Sequence, residues 1–215
     1  MIQHYLSLLR PGSTRKKYSR QLLRMYGLSC AVLFMSLVWG VVAARGRAVM
    51  MEDVAGPLMD IKEFFLGLEW WGRIIFVFLN NSLTTALVVF GGVFFGLISI
   101  LVLIYNGYLI GAVSQVAGAE HGLGVVLAAL LPHGIFELGV VLLAVAVGLR
   151  LGQVFGYCLR VKDYSNLKTE LKISAGLFIF FILPVLFLAA TIEVVVTPIV
   201  IYFSCPECFV EGIIG

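Results

Sequence analysis

Residues 74–119 read IIFVFLNNSLTTALVVFGGVFFGLISILVLIYNGYLIGAVSQVAGA and contain no formally charged side chain. A helix that crosses a bilayer needs about 20 mostly apolar residues. This stretch is more than twice that length, so it is long enough for two crossings and too long for one. The best turn signal inside it is Tyr105-Asn106-Gly107, because an Asn-Gly pair is typical of a turn. We therefore predict two spanning helices joined near Asn106.

The composition of the whole chain supports a membrane protein. Of the 215 residues, 61% are hydrophobic and 13% are charged, whereas a soluble domain has about 45–50% apolar and about 25% charged residues. The mean hydropathy is +1.05. These values exclude a soluble globular domain, a disordered chain and a disulfide-rich secreted module. A net charge of +3 that is scattered among apolar runs also argues against nucleic-acid binding.

Three further apolar runs complete an all-α, polytopic membrane fold of about five transmembrane helices. They cover residues 22–44, 123–149 and 173–203. We expect three parts of the chain: a basic arm over residues 1–21, a helical transmembrane domain over residues 22–203, and a short tail over residues 204–215.

The basic residues predict the orientation in the membrane. The N-terminal arm and the segment 150–172 are both rich in Lys and Arg, and such segments stay in the cytoplasm. We predict a multi-pass protein of the cell membrane, with its N-terminus cytoplasmic and its C-terminus extracytoplasmic. Arg15, Lys16 and Lys17 can also bind anionic lipid headgroups, although topology determination explains them equally well.

A mixed, amphipathic segment precedes the second apolar run. Residues 61–73 combine charges with apolar side chains and include the pair Trp70-Trp71. Tryptophan rings favour the headgroup level of a bilayer. We predict a helix that lies in the interface here, and a loop that dips toward lipid is the alternative.

A small set of polar residues lies within the apolar runs, where charged side chains cost several kcal/mol. His133 and Glu137 are four residues apart and therefore share one helical face, as do Glu193 and Thr197. The set comprises Asn81, Asn106, His133, Glu137, Glu193 and Thr197. Pro132 is expected to break its helix inside the membrane, and Pro198 is expected to bend the chain after Glu193.

Several interpretations of this polar cluster stay open. The side chains can satisfy one another and the backbone groups freed by proline, or they can bind an ion or relay protons. His133, Glu137 and Glu193 are the candidate ligands for a divalent metal. Catalysis is the third interpretation, but no HExxH or GxSxG motif is present, and we assign no catalytic residue and predict no cofactor beyond a possible divalent metal.

Cysteines and glycines give two weaker signals. Cys205 and Cys208 form a single CxxC motif, which fits a disulfide, half of a zinc site completed by a second copy, or two inert thiols. Glycines in the apolar runs provide small helix faces that suggest self-association as a homodimer. The lipid bilayer and membrane or envelope proteins are the other expected partners.

Several motifs in one order resemble a known family. They are Asn80-Asn81, Tyr105-Asn106-Gly107, the stretch Pro132-His133-Gly134-Ile135-Phe136-Glu137, and Glu193 followed by Thr197-Pro198. Together, over roughly residues 15–203, they resemble the stage II sporulation protein M family, which is also described as a domain of unknown function. The CxxC tail departs from the family pattern.

The resemblance implies a five-helix integral membrane protein. In spore-forming bacteria the named member anchors partners that remodel peptidoglycan during engulfment, while relatives outside spore formers have no clear role. The first hypothesis is therefore a membrane scaffold or anchor without chemistry of its own. A small-molecule or ion transporter or channel that uses the His/Glu site is the alternative, and an intramembrane hydrolase is a further one.

Overall fold

A computed structural model describes residues 13–45 and 64–205 of the chain. Within these ranges the chain is helical and has no strand, and five helices are long and apolar enough to cross a membrane. This confirms the predicted fold class. The helices are α1 Ser13–Arg45, α2 Trp70–Gly91, α3 Leu97–His121, α4 Leu123–Val161 and α5 Ser165–Ser204.

Large apolar side chains cover the outside of the bundle. Leu83 is 71% exposed and Leu23 is 69% exposed, which is the surface expected of helices that face lipid. Inside, a core formed by α2, α4 and α5 contains Val89, Val145 and Leu186, each almost completely buried.

The turn predicted at Asn106 is wrong. The chain reverses instead at residues 92–96, where Phe95 and Gly96 have φ values of 56° and 75°. Asn106 lies inside α3, and its Nδ2 donates a hydrogen bond to the Val102 carbonyl oxygen at 2.8 Å. Because α3 is 25 residues long, it is long enough to cross a membrane as one helix.

Glycines bring the helices together within one chain. A Cβ added at Gly40 of α1 would overlap the Tyr108 carbonyl oxygen of α3, and one at Gly111 of α3 would overlap the Leu37 carbonyl oxygen of α1. Gly92 packs in the same way against Gly148. These small faces are used inside the protomer, so they no longer argue for a homodimer, which stays a prediction.

Proline affects α4 and α5 differently. Pro132 lies within the continuous helix α4, so the expected break there is not found. In α5 the chain widens into two π-helical turns, Phe178–Ile182 and Ile192–Val196. Pro184 and Pro198 follow them closely, and a proline ring clashes with the carbonyl four residues earlier in a regular helix. The wider turn relieves that clash.

Helices α4 and α5 are longer than a membrane is thick. They contain 39 and 40 residues, or about 60 Å each at 1.5 Å per residue, against about 30 Å of hydrocarbon. Only the short turn at residues 162–164 joins them. The basic segment 150–172 is therefore mostly a helical hairpin.

The interfacial segment is described only in part, because residues 61–63 lie outside the described ranges. Trp70 and Trp71 form the first turn of α2 and are exposed. The guanidinium of Arg73 donates hydrogen bonds to the carbonyl oxygens of Leu66 and Leu68, at 2.8 and 3.0 Å. Arg73 thus holds the preceding chain against the start of α2.

Candidate functional site

The polar residues of α4 and α5 converge. His133, Glu137 and Glu193 each offer a ligand atom within 4.8 Å of those of the other two, and His133 Nδ1 lies 3.3 Å from Thr197 Oγ1. We call these four residues the intramembrane cluster. The sequence predicted the two same-face pairs, and the structure brings the pairs together.

Helix geometry explains how the cluster forms. His133 and Glu137 are one turn apart on α4, and Glu193 lies in the second π-helical turn of α5. The first half of α4 packs against the end of α5 through this turn and the residues that follow it. π-Helical turns are frequent at functional sites because they shift the side chains of a helix out of regular register.

Thr197 links the tautomer of His133 to the backbone of α5. The Thr197 hydroxyl lies 3.3 Å from the Ile192 carbonyl oxygen and 3.3 Å from His133 Nδ1. When the hydroxyl donates to the carbonyl, Oγ1 accepts from His133 and Nδ1 of the imidazole carries the proton. In a neutral histidine this leaves Nε2 with a free lone pair, which can accept a proton or bind a cation.

The cluster lies well away from the helix ends, at a distance that corresponds to the middle of a bilayer if those ends are at the membrane surface. Counting from Leu123 at the start of α4, His133 is about 15 Å along the helix axis, and Glu193 is about 17 Å from Ser204 at the end of α5. Half of a hydrocarbon core of about 30 Å is the same distance. The three ionisable side chains are half-buried and face no ion-pair partner among the described side chains. The arrangement can bind a cation, share a proton or join two helices.

The two amides predicted for the cluster make local bonds. Asn80 Nδ2 donates to Asn81 Oδ1 at 3.4 Å, and Asn106 bonds to its own helix. Neither hydrogen bond reaches His133 or the two glutamates. That Asn81 and Asn106 act together with the intramembrane cluster stays a prediction.

A second polar group lies at the other end of the bundle, and sequence reasoning missed it. Arg150 of α4 pairs with Glu170 of α5 at 2.6 Å, and both side chains are largely buried. Arg150 also donates to Gln21 Oε1 at 2.7 Å and lies over the Tyr18 ring at 4.0 Å. Gln21 in turn donates to Gln153 at 2.9 Å. We call these five residues the Arg150 network.

The Arg150 network joins three helices. Tyr18 and Gln21 belong to α1, and Tyr18 donates its hydroxyl hydrogen to Glu170 at 3.2 Å. A cavity of about 410 Å³ lies beside the network, lined by Gln21, Arg150, Gln153, Val154, Tyr157, Asn166, Thr169 and Glu170. The network brings the two basic segments to the same end of the bundle, which fits the predicted topology.

Some predicted site residues lie outside the described part. The side chains of Arg15, Lys16 and Lys17 are among them, so lipid binding there stays a prediction. Cys205 is disulfide-bonded, but Cys208 lies outside the described residues and their pairing stays a prediction. Cys30 and Cys158 are free thiols.

Comparison with known proteins identifies the family. The model of the stage II sporulation protein M family matches residues 29–198. The chain belongs to the stage II sporulation protein M family. An uncharacterised protein of Methanocaldococcus jannaschii is 31% identical over 121 residues, which is 55% of this chain and 67% of that protein. No solved structure matches the chain.

Membership of this family confirms the resemblance seen in the sequence. The matched residues include all four residues of the intramembrane cluster, the whole of α4, and α5 as far as Pro198. The chain is thus a helical membrane protein of the stage II sporulation protein M family, and the uncharacterised relative adds no activity to this description.

Proposed function

We propose that this protein is an integral membrane anchor that binds other membrane or envelope proteins through the tip of the α4–α5 hairpin. The tip is the turn at residues 162–164 with the helix ends beside it, residues 160–168. The observation that carries the proposal is the excess length of α4 and α5 over the bilayer. Helices of about 60 Å cannot be contained in about 30 Å of hydrocarbon, so one end of the hairpin extends into the aqueous phase. The Arg150 network joins the hairpin to α1 on the side of that end.

The charge of the tip favours an acidic protein surface as its partner. Arg160, Lys162 and Lys168 are exposed. The N–H and the hydroxyl of Ser165 donate to Asp163 at 2.9 and 3.0 Å, and the backbone bond is the main reason that the pKa of Asp163 lies below its usual value. Three cations thus outweigh one carboxylate. By the positive-inside rule this basic tip lies in the cytoplasm.

Cross-linking from the tip tests the proposal. A photo-crosslinker attached to Tyr164→Cys, an exposed position, is expected to capture a defined protein in cells. Charge reversal by Arg160→Glu with Lys168→Glu should reduce that product by about tenfold, since complementary charge guides such contacts. The matched control is Leu83→Cys on the lipid-facing side of α2, which should capture lipid.

Two results would contradict the anchor. One is a tip crosslink that reaches lipid alone, which would make the tip a headgroup-binding surface. The other is labelling of Tyr164→Cys by a membrane-impermeant thiol reagent added outside intact cells, which would place the tip on the wrong side for a cytoplasmic partner.

Ion or small-molecule transport is the second candidate, and the convergence of His133, Glu137 and Glu193 favours it. Intramembrane ionisable residues are typical of ion and proton pathways. If the cluster lines a path, Glu137→Gln should abolish pH-driven or cation flux in proteoliposomes while Glu120→Gln, at an exposed position, leaves it intact. Equal flux in wild type and empty liposomes would count against transport and leave the anchor as the better proposal.

A further inference from the structure

The intramembrane cluster contains two carboxyl groups, and the described part of the chain places no positive charge in contact with them. Among the described side chains, neither Glu137 nor Glu193 has an ion-pair partner, and their ligand oxygens lie within the same 4.8 Å group. One charged side chain at the bilayer centre costs several kcal/mol, and two like charges at this separation repel each other. The arrangement needs a neutralising species.

The same site already has the ligands of a metal centre. His133 offers Nε2 in the tautomer that donates Nδ1–H to Thr197 Oγ1, and each glutamate offers a carboxylate oxygen. Bonds of about 2.1 Å to a tetrahedral ion separate the ligands by about 3.4 Å. The ligand atoms at up to 4.8 Å reach that spacing by shifts of about an ångström each.

We propose that His133, Glu137 and Glu193 bind one divalent transition-metal cation of the zinc or manganese class. One imidazole with two carboxylates is a mixed nitrogen and oxygen set, which suits these ions better than the all-oxygen ligands preferred by calcium or magnesium. A charge of +2 balances the two carboxylates. The ion joins α4 to α5 at mid-membrane depth, and solvent or a partner fills its remaining position.

Thr197 acts as a positioning residue in this site. A ligating histidine usually donates its other ring N–H to an oxygen that fixes the ring, and loss of such a partner costs about 10–100-fold in metal affinity. Here that oxygen is Thr197 Oγ1. The π-helical turn after Ile192 gives both the carbonyl that orients the Thr197 hydroxyl and the position of Glu193.

Metal binding is tested on the full chain in lipid nanodiscs. After dialysis against Zn²⁺ or Mn²⁺ and removal of free ion, we expect about one equivalent of metal per chain. Co²⁺ should give the visible absorption of a nitrogen and oxygen site. His133→Ala and Glu193→Gln should lower affinity by more than about tenfold, whereas Glu120→Gln, at an exposed position outside the cluster, should bind as wild type.

Thr197 gives a second, finer readout. Thr197→Val should weaken Co²⁺ binding by about tenfold, and Thr197→Ser should restore it, because serine keeps the hydroxyl. A purely structural threonine would change the thermal stability of the metal-free protein without changing metal affinity, and that result would overturn its positioning role.

Measurements on the wild-type protein alone can also contradict the proposed metal site. The proposal is wrong if the protein binds less than about 0.1 equivalent of Zn²⁺ and Mn²⁺ per chain and its melting temperature does not change when either ion is added. It is also wrong if the melting temperature responds to pH but not to metal, since that would indicate a carboxyl pair that shares a proton. The metal site and the anchor function can fail separately. The metal measurements report on the intramembrane cluster, whereas the cross-linking experiment reports only on the hairpin tip.

Discussion

Arg150→Ala is expected to lower the free energy of unfolding by about 3–5 kcal/mol, because removing one partner of a buried ion pair leaves the other charge uncompensated. Glu170 is only 5% exposed and accepts two bonds from Arg150, at 2.6 and 3.3 Å. The same change removes the bond to Gln21 and the contact with the Tyr18 ring. Unfolding in mixed detergent micelles measures the loss.

Glu120, the exposed partner of His121, gives the matched control. The two side chains are 3.7 Å apart and the Glu120 side chain is 60% exposed, so Glu120→Gln should cost less than about 1 kcal/mol. Arg150→Lys should fall between the two, because lysine keeps the charge and loses the paired geometry of the guanidinium. An Arg150→Ala protein as stable as the control variant would show that the network does not hold the three helices together.

A double substitution separates the ion pair from the packing. Arg150→Met with Glu170→Leu removes both charges and keeps apolar volume, so most of the loss should be recovered. A double variant as unstable as Arg150→Ala would assign the effect to lost side-chain packing rather than to an uncompensated Glu170.

The number of helices could be predicted because membrane insertion depends on local composition. Three spans each contain their own apolar run, and the run over residues 74–119 is long enough for two, so hydropathy and length find all five. The prediction of a turn at Asn106 was wrong because the pair Asn106-Gly107 serves helix packing. Glycine is needed at position 107 because Ser36 and Leu33 of α1 pack against it, and the Asn106 amide bonds to its own helix. An Asn-Gly pair gives the same local signal whether it turns the chain or packs a helix.

The two polar sites differ in how far the sequence could find them. His133 with Glu137, and Glu193 with Thr197, are each spaced by one helical turn, and the cost of burying charge suggested that they meet. Arg150 and Glu170 show no such periodicity, and their contact depends on how α1, α4 and α5 pack. An acid inside a basic segment was the only signal, and it did not identify Arg150 as the partner.

The largest steric effect is expected from Gly152→Ala. A Cβ at this position of α4 would lie 2.7 Å from the Gly92 carbonyl oxygen and closer still to backbone atoms of Phe95 and Gly96. Backbone cannot move aside as a flexible side chain can, so the turn between α2 and α3 must shift. We expect a loss of about 1–3 kcal/mol or more, as for other overpacked sites.

Gly139→Ala on the same helix should have the opposite sign. A Cβ there meets nothing within 4 Å, and alanine is favoured over glycine inside a helix by about 1 kcal/mol. The two variants have the same substitution on the same helix. The difference between their free energies of unfolding in mixed micelles therefore measures the steric cost at Gly152, where the backbone approaches closely, against Gly139, where there is free space. Equal effects would mean that α4 does not pack against the residue 92–96 turn as closely as the structure indicates, and that this turn is not what fixes α2 and α3 beside α4.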